Sequence, residues 1–267
     1  MSKKCKNCGE DLLGNYCYRC GQKASTGRIT MRYFFHELEY GLTHADRKGL
    51  FFTLKGLFTR PGNMLRDYIL GHRVNYVKPF PLLIILAGAY GLLKHFTFPQ
   101  KSAWIDAVPE ELIEKIPSLV FSVPASEWML TSQTFGVLIL LPFFAFAMKK
   151  AFRNVGMKRY NYAECLYVSA YIACQRLIIS FLFFPLVFLT NKGGEGIPGQ
   201  YWKFVIYFIL AVWTFKQFFR INVKTAVWKT IRVGIYMVLF LTPILAGLIA
   251  LIFWVLYMYD IPLGADI

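Results

Sequence analysis

Four of the six cysteines fall in two copies of one pattern, Cys5-Lys-Asn-Cys8-Gly9 and Cys17-Tyr-Arg-Cys20-Gly21, with eight residues between the pairs. Each Cys-x-x-Cys-Gly can close as a tight knuckle that aims both sulfurs at one ion, the glycine relieving the turn. Two knuckles then supply a tetrahedral set of four thiolates, the closed geometry of a structural Zn2+ site, with no open position for catalysis. A unit of about 20 residues has too little core to fold alone, so metal binding must supply much of its folding free energy. Two disulfides are the competing reading, and a reducing compartment would disfavour them. A thioredoxin-type redox role fails because no βαβ pattern surrounds either pair. Cys165 and Cys174 are nine residues apart on one apolar segment and read as small buried residues.

The elements that must carry this ribbon are apolar. The chain has 267 residues, of which 56% are hydrophobic and 17% charged, with a net charge of +15. Of five apolar stretches, Leu82–Phe98, Phe135–Met148, Cys165–Leu189, Phe204–Phe219 and Ile235–Tyr259, most approach or exceed the ~20 residues a helix needs to cross a hydrocarbon core. Lysines and arginines number 14 in residues 1–79, 5 in 149–162 and 5 in 216–232, against 2 in 99–127 and 1 in 190–200. That alternation follows the positive-inside rule and puts the N-terminus and both basic loops in the cytoplasm, with the C-terminus outside. No cleavable leader is visible in the polar, cysteine-rich first 30 residues. The expected fold is an all-α polytopic membrane bundle of about five crossings with a small N-terminal four-cysteine zinc ribbon. Its expected divisions are ribbon 1–27, membrane-proximal helices 28–79 and transmembrane bundle 80–267.

Three short amphipathic patterns occupy 28–79. Met31, Phe34, Phe35, Leu38 and Leu42 form one stripe; Leu50, Phe51, Leu54, Leu57 and Phe58 form a second. A third helix is expected to start at Pro61 and stop at Gly71. The flanking charges are basic, and Arg60, Arg66, Arg73 and Lys78 are candidate contacts to anionic lipid headgroups, each worth about 1 kcal/mol near such a leaflet. Packing on the cytoplasmic ends of the bundle is the alternative for these helices. His36-Glu37 lacks the second histidine of a protease-type zinc motif, because position 40 is Tyr.

The ribbon, then Phe58-Thr-Arg-Pro61-Gly62, then Arg66-Asp-Tyr68-Ile-Leu-Gly71-His-Arg73-Val-Asn-Tyr76-Val-Lys-Pro79, leads into an apolar helix. In that order, over residues 5–92, the chain resembles a family of bacterial multi-pass membrane proteins known as domain of unknown function 3667. The resemblance implies an integral protein of the bacterial cytoplasmic membrane with a cytoplasmic zinc ribbon. It implies no activity, and no functional residue is carried over from it.

Ionisable residues inside a crossing default to functional candidates. Glu164 sits at the mouth of the third apolar segment, and Arg176 lies ~18 Å further along the helix. Glu164, Tyr171, Gln175 and Arg176 are therefore candidates for an intramembrane polar site. Three readings of Arg176 stand together: an anion or headgroup site with Gln175 and Tyr171, a buried arginine bonded across helices, or an interfacial segment 160–176 followed by a short crossing. No Ser/His, paired-carboxylate or histidine-cluster arrangement supports an enzyme. The expected function is a membrane-anchored adaptor, scaffold or assembly factor whose ribbon docks a protein partner. The alternative is a transporter or lipid-handling protein that uses Arg176. Contact with nucleic acid or the ribosome is also compatible with the charge, which does not separate RNA from anionic lipid.

Overall fold

A computed structural model describes residues 4–40, 47–97, 133–156, 160–190 and 197–258. The 99–127 loop and most of the 190–200 turn lie outside the described residues. The chain is helical after the ribbon: α1 (Met31–Tyr40), α2 (Arg47–Thr59), α3 (Pro61–Leu70), α4 (Pro79–Thr97), α5 (Gln133–Ala151), α6 (Tyr162–Thr190), α7 (Ile197–Phe219) and α8 (Val223–Met258). A short 3-10 turn, Arg153–Val155, follows α5. Two helices, over Tyr162–Pro185 and Val223–Ile244, are long and apolar enough to cross a bilayer; shorter apolar runs occupy Gly49–Thr59, Pro79–Lys94 and Phe204–Phe219.

Helix α6 is the axis of the molecule. Its side chains from Ala163 to Gln175 are all buried, whereas exposure returns at Arg176, Leu182 and Pro185. The covering of that first half comes from α1, α2 and α3 together with α5, whose Pro142 carbonyl accepts from the Tyr162 hydroxyl (3.0 Å), and α4 runs parallel beside the second half. The register is fixed by contacts: the Tyr171 hydroxyl donates to the Val77 carbonyl (2.7 Å), and Cys174 Sγ meets the Pro79 carbonyl (3.6 Å) just as α4 begins. Higher up, Tyr90 packs edge-on against Phe181 at 5.3 Å. Helices α5 and α8 run antiparallel, with Phe146 against Phe240 and the Lys150 ammonium over the Tyr236 ring.

One sequence expectation needs correction. The basic segment 216–232 is not a loop. Helix α7 continues to Phe219, a turn follows with Arg220 at φ 52°, and α8 starts at Val223. Ala226, Lys229, Thr230 and Val233 are buried on one face, so the inner stripe is small and sparse and takes in one of the basic residues. Helix α2 divides its expected apolar stripe: Leu57 is buried, whereas Leu50 and Phe51 are exposed, Phe51 at 73%, as is Phe52 beside them. The buried side is Gly49, Thr53, Gly56 and Leu57. Small residues let α2 approach closely: a Cβ on Gly56 would stand 3.1 Å from Met64 Cγ, and one on Gly49 3.5 Å from Val77.

Helix α3 opens on Pro61 and closes on Gly71, whose φ of 114° lets its amide reach the Asp67 and Tyr68 carbonyls while His72 N–H donates to Asp67 O (3.0 Å). Its first turn lies almost on the backbone of α7. A Cβ at Gly62 would fall 2.3 Å from the Thr214 carbonyl oxygen and 2.4 Å from the Phe218 nitrogen, and the Gly62 amide donates to Gln217 Oε1 (3.1 Å). Glycine is required there by proximity, not by dihedral angle.

Candidate metal centre

The two knuckles fold alike. Cys5 N–H donates to Glu10 O and Gly9 N–H to Cys5 O; twelve residues on, Cys17 N–H donates to Gln22 O and Gly21 N–H to Cys17 O, all between 2.7 and 2.9 Å. Gly9 and Gly21 take φ of 80° and 73°, the left-handed conformation that a side chain would strain. Isolated bridges, Lys4 to Asp11 and Tyr16 to Lys23, close each hairpin. The four sulfurs of Cys5, Cys8, Cys17 and Cys20 lie within 4.8 Å of one another and form a group able to hold a metal ion. Cys5 and Cys20 are 3.6 Å apart and Cys8 and Cys17 3.4 Å, far beyond the ~2.05 Å of a disulfide.

Backbone amides favour ionisation of one of these sulfurs, Cys5. Burial opposes a charge on Cys5, yet amides of Cys8 and Asn7 directed at its sulfur outweigh that and hold its pKa down to about 7. Cys8 is pushed up to about 12: the Glu10 amide favours its thiolate, but desolvation and the neighbouring sulfurs prevail. An ion binding all four must displace protons, so its affinity falls with acidification.

The ribbon is seated on the helical body by three polar links. Arg73 N–H donates to Gln22 Oε1 (3.3 Å), its Nη2 to the Gly27 carbonyl (2.9 Å) and its Nε to the Tyr68 carbonyl (3.2 Å). The same guanidinium lies over the Tyr33 and Tyr68 rings at 5.5 and 5.6 Å. The third link is Arg28 to Glu164, at 3.0 Å from Nε and 2.8 Å from Nη2. Glu164 is 2% exposed and also completes a capping box: its amide donates to Asn161 Oδ1 (2.8 Å), and the Asn161 amide donates back to Glu164 Oε2 (2.9 Å). Asn161 Nδ2 reaches the Ile29 carbonyl at 2.7 Å. Lys6 packs against Gly71, where a Cβ would stand 3.0 Å from its Cδ.

Beneath these links lies a tyrosine cluster. Tyr68, fully buried, stacks on Tyr167 (6.1 Å) and meets Tyr171 (5.2 Å) and Tyr76 (6.4 Å) edge-on. Phe34 and Phe80 close it from α1 and α4. Much of the segment 58–79 now has a mechanical role: Pro61 and Gly62 dock α3 on α7, Tyr68 and Tyr76 fill the cluster, Gly71 turns the chain and Arg73 holds the ribbon.

The polar residues Glu164, Tyr171, Gln175 and Arg176 are not gathered into one site. Glu164 serves the ribbon, and Tyr171 serves the connector before α4. Gln175, also buried, donates to the Leu57 carbonyl (3.0 Å) and accepts from Thr214 (3.2 Å), tying α6 to α2 and α7. Arg176 is exposed, with its guanidinium 4.7 Å from the centre of the Tyr207 ring. Of the four basic residues expected at a leaflet, Arg73 is committed internally as described, Arg60 is exposed, and Arg66 and Lys78 are half-buried. Arg28 and Asn161 went unnoticed in the sequence. The Asn161-Tyr-Ala-Glu164 spacing is a legible capping signal, whereas nothing local marks Arg28.

These features define a helical protein with a four-cysteine knuckle pair clamped to an aromatic cap. Residues 47–91 match the model of a family described as Protein of unknown function (DUF3667). The match covers α2, α3, the connector and most of α4. No curated protein and no solved structure matches the chain.

Proposed function

We propose that the chain is an integral membrane adaptor of the bacterial cytoplasmic membrane, with a cytoplasmic zinc ribbon that docks a protein partner. The observation that carries this reading is the closed four-sulfur cluster on a rigid seat. Sulfurs around zinc at ~2.3 Å stand about 3.8 Å apart in a tetrahedron, close to the separations found, and four thiolates leave no position for substrate. The ribbon's free side presents Leu13, Tyr16 and Tyr18, exposed at 89, 61 and 70%, in a domain whose inner side is committed to Arg73 and Glu164. Exposed aromatic residues of this kind anchor protein contacts.

Five crossings, α4 to α8, fit the charge alternation, and the basic residues on α5 and α7–α8 lie toward the ribbon end. The outward Leu50, Phe51 and Phe52 of α2, beside exposed Lys55, suit a helix lying in the cytoplasmic interface. Two experiments test the proposal. Cys8→Ser plus Cys20→Ser is expected to release zinc and abolish capture of a crosslinked partner; undiminished capture by the zinc-free protein counts heavily against an adaptor. A reporter fused to the N-terminus is expected to be active in the cytoplasm, and periplasmic activity overturns the orientation.

A further inference from the structure

We infer that Arg176, laid on the Tyr207 ring, binds the phosphate of a net-anionic phospholipid in the leaflet on the ribbon side. The inference rests on the five-crossing placement but not on the adaptor role.

Depth comes first. Twelve residues past Glu164, Arg176 would sit near the middle of a crossing if α6 entered the membrane at its N-terminus. The fold moves that boundary. Helix α4, the first proposed crossing, starts level with Cys174, and the stretch of α6 before that level packs against α1–α3 together with α5. Arg176 is two residues, ~3 Å, beyond that level, where phosphates and glycerol lie and not hydrocarbon. The surface agrees: exposed large side chains further along α6 and α7 are Leu182, Ile209, Phe208, Val205 and Phe204, all apolar.

The chemistry follows from the partners. Among the described residues Arg176 makes no ion pair. The face of its guanidinium is taken by Tyr207, whose hydroxyl bonds the Ser180 hydroxyl, and Ser180 Oγ in turn donates to the Arg176 carbonyl (3.0 Å). The ring is thus fixed, and the exposed guanidinium beside it, with no ion pair among the described residues, keeps N–H donors for a further acceptor. Such donors match a phosphate bidentately. A lipid of net negative charge neutralises the arginine, whereas a zwitterion brings its own cation; acyl chains would follow Leu182 and Phe208.

The test uses full-length protein, delipidated and titrated with phosphatidylglycerol or phosphatidylcholine in native mass spectrometry. Wild type is expected to prefer phosphatidylglycerol about tenfold, as one charge-assisted contact of ~1.4 kcal/mol would give. Arg176→Gln should lose the preference and keep phosphatidylcholine binding, and Arg176→Lys should fall between. Arg220→Gln, at the exposed α7–α8 turn, should change nothing. Equal binding of the two lipids by wild type, or full preference in Arg176→Gln, overturns the inference. Displacement of the lipid by millimolar inorganic phosphate also overturns it, since the ligand is then a free anion. If Arg176→Gln does not fold, a photoactivatable phosphatidylglycerol on wild type decides: its crosslink must fall on the α6 or α7 peptides around Arg176 and Tyr207. Alkaline carbonate extraction separates the failures. Release from membranes removes the five-crossing placement, while retention without lipid preference removes only this site.

Discussion

The two halves of α6 obey different rules although they are one continuous helix. From Ala163 to Gln175 every side chain is enclosed, including the polar Glu164, Ser169 and Gln175, and each of these finds a defined partner. From Arg176 to Pro185 the outward side chains are Arg176, Leu182 and Pro185, and a mid-helix proline is accepted. The first half is the core of a cap in which unsatisfied polar groups would cost ~1–3 kcal/mol each. The second half needs only an apolar outer face. Composition alone merges the two into a single long apolar segment; what separates them is the covering by α1–α3 and α5.

On the proposed zinc ribbon, the comparison is broken most drastically by chelation. Structural zinc contributes on the order of 10 kcal/mol to ribbons of this size. Chelation should therefore unfold residues 4–27 entirely, releasing the Gln22 and Gly27 contacts to Arg73 while the cap keeps its aromatic core. Limited proteolysis with and without chelator, read by peptide mapping, should show new cleavages confined to the ribbon and the 28–30 hinge. Cleavage spreading equally into α3 and α6 would mean that cap and ribbon are one cooperative unit.

Next in size is Glu164→Ala, which deletes the capping box and the Arg28 pair together. A lost cap costs ~1 kcal/mol and a charge-assisted bond ~1.5–3 kcal/mol. Arg28 is 62% exposed and can rehydrate, so about 3 kcal/mol in total is the expected loss. Thermal unfolding in detergent should register it; Leu182→Ala, on the outer half, should fall well short of it.

Much of this frame was legible beforehand. The knuckle spacing announced the sulfur cluster, and Pro61 with Gly71 marked the ends of α3, because metal and helix termini leave short-range signatures. The seat of the ribbon was not legible. Arg28 reaches a residue 136 positions away, and a long-range pair leaves no local pattern. The inward face of α2 was not legible for a different reason: hydrophobic periodicity marks a large apolar stripe without saying whether protein or lipid covers it, and here Gly49, Thr53 and Gly56 face protein beside Leu57. Arg73 was grouped with surface cations because charge counting is blind to the carbonyls of Gly27 and Tyr68.

A third test compares two glycines. Gly62→Ala drives a methyl group into the α7 backbone, which cannot move as a side-chain end would, so α3 must lift. Overpacking of this kind costs ~1–3 kcal/mol. Gly88→Ala on α4 meets nothing within 4 Å and should be neutral or stabilising by up to about 1 kcal/mol through helix propensity. Equal effects from the two would show that α3 is not closely docked on α7.

The smallest expected effect sharpens the boundary between the halves. Tyr171→Phe keeps the ring against Tyr68 but strands the Val77 carbonyl, which receives the phenol at the point where the connector turns into α4. A neutral buried hydrogen bond is worth ~0.5–1.5 kcal/mol, so a loss of about 1 kcal/mol is expected. Hydrogen exchange locates it: faster exchange should appear at Val77 to Leu83 with little change at Tyr90. Uniform acceleration along α4 would place the start of that helix under some other control than α6, and would remove the register on which the depth of Arg176 was measured.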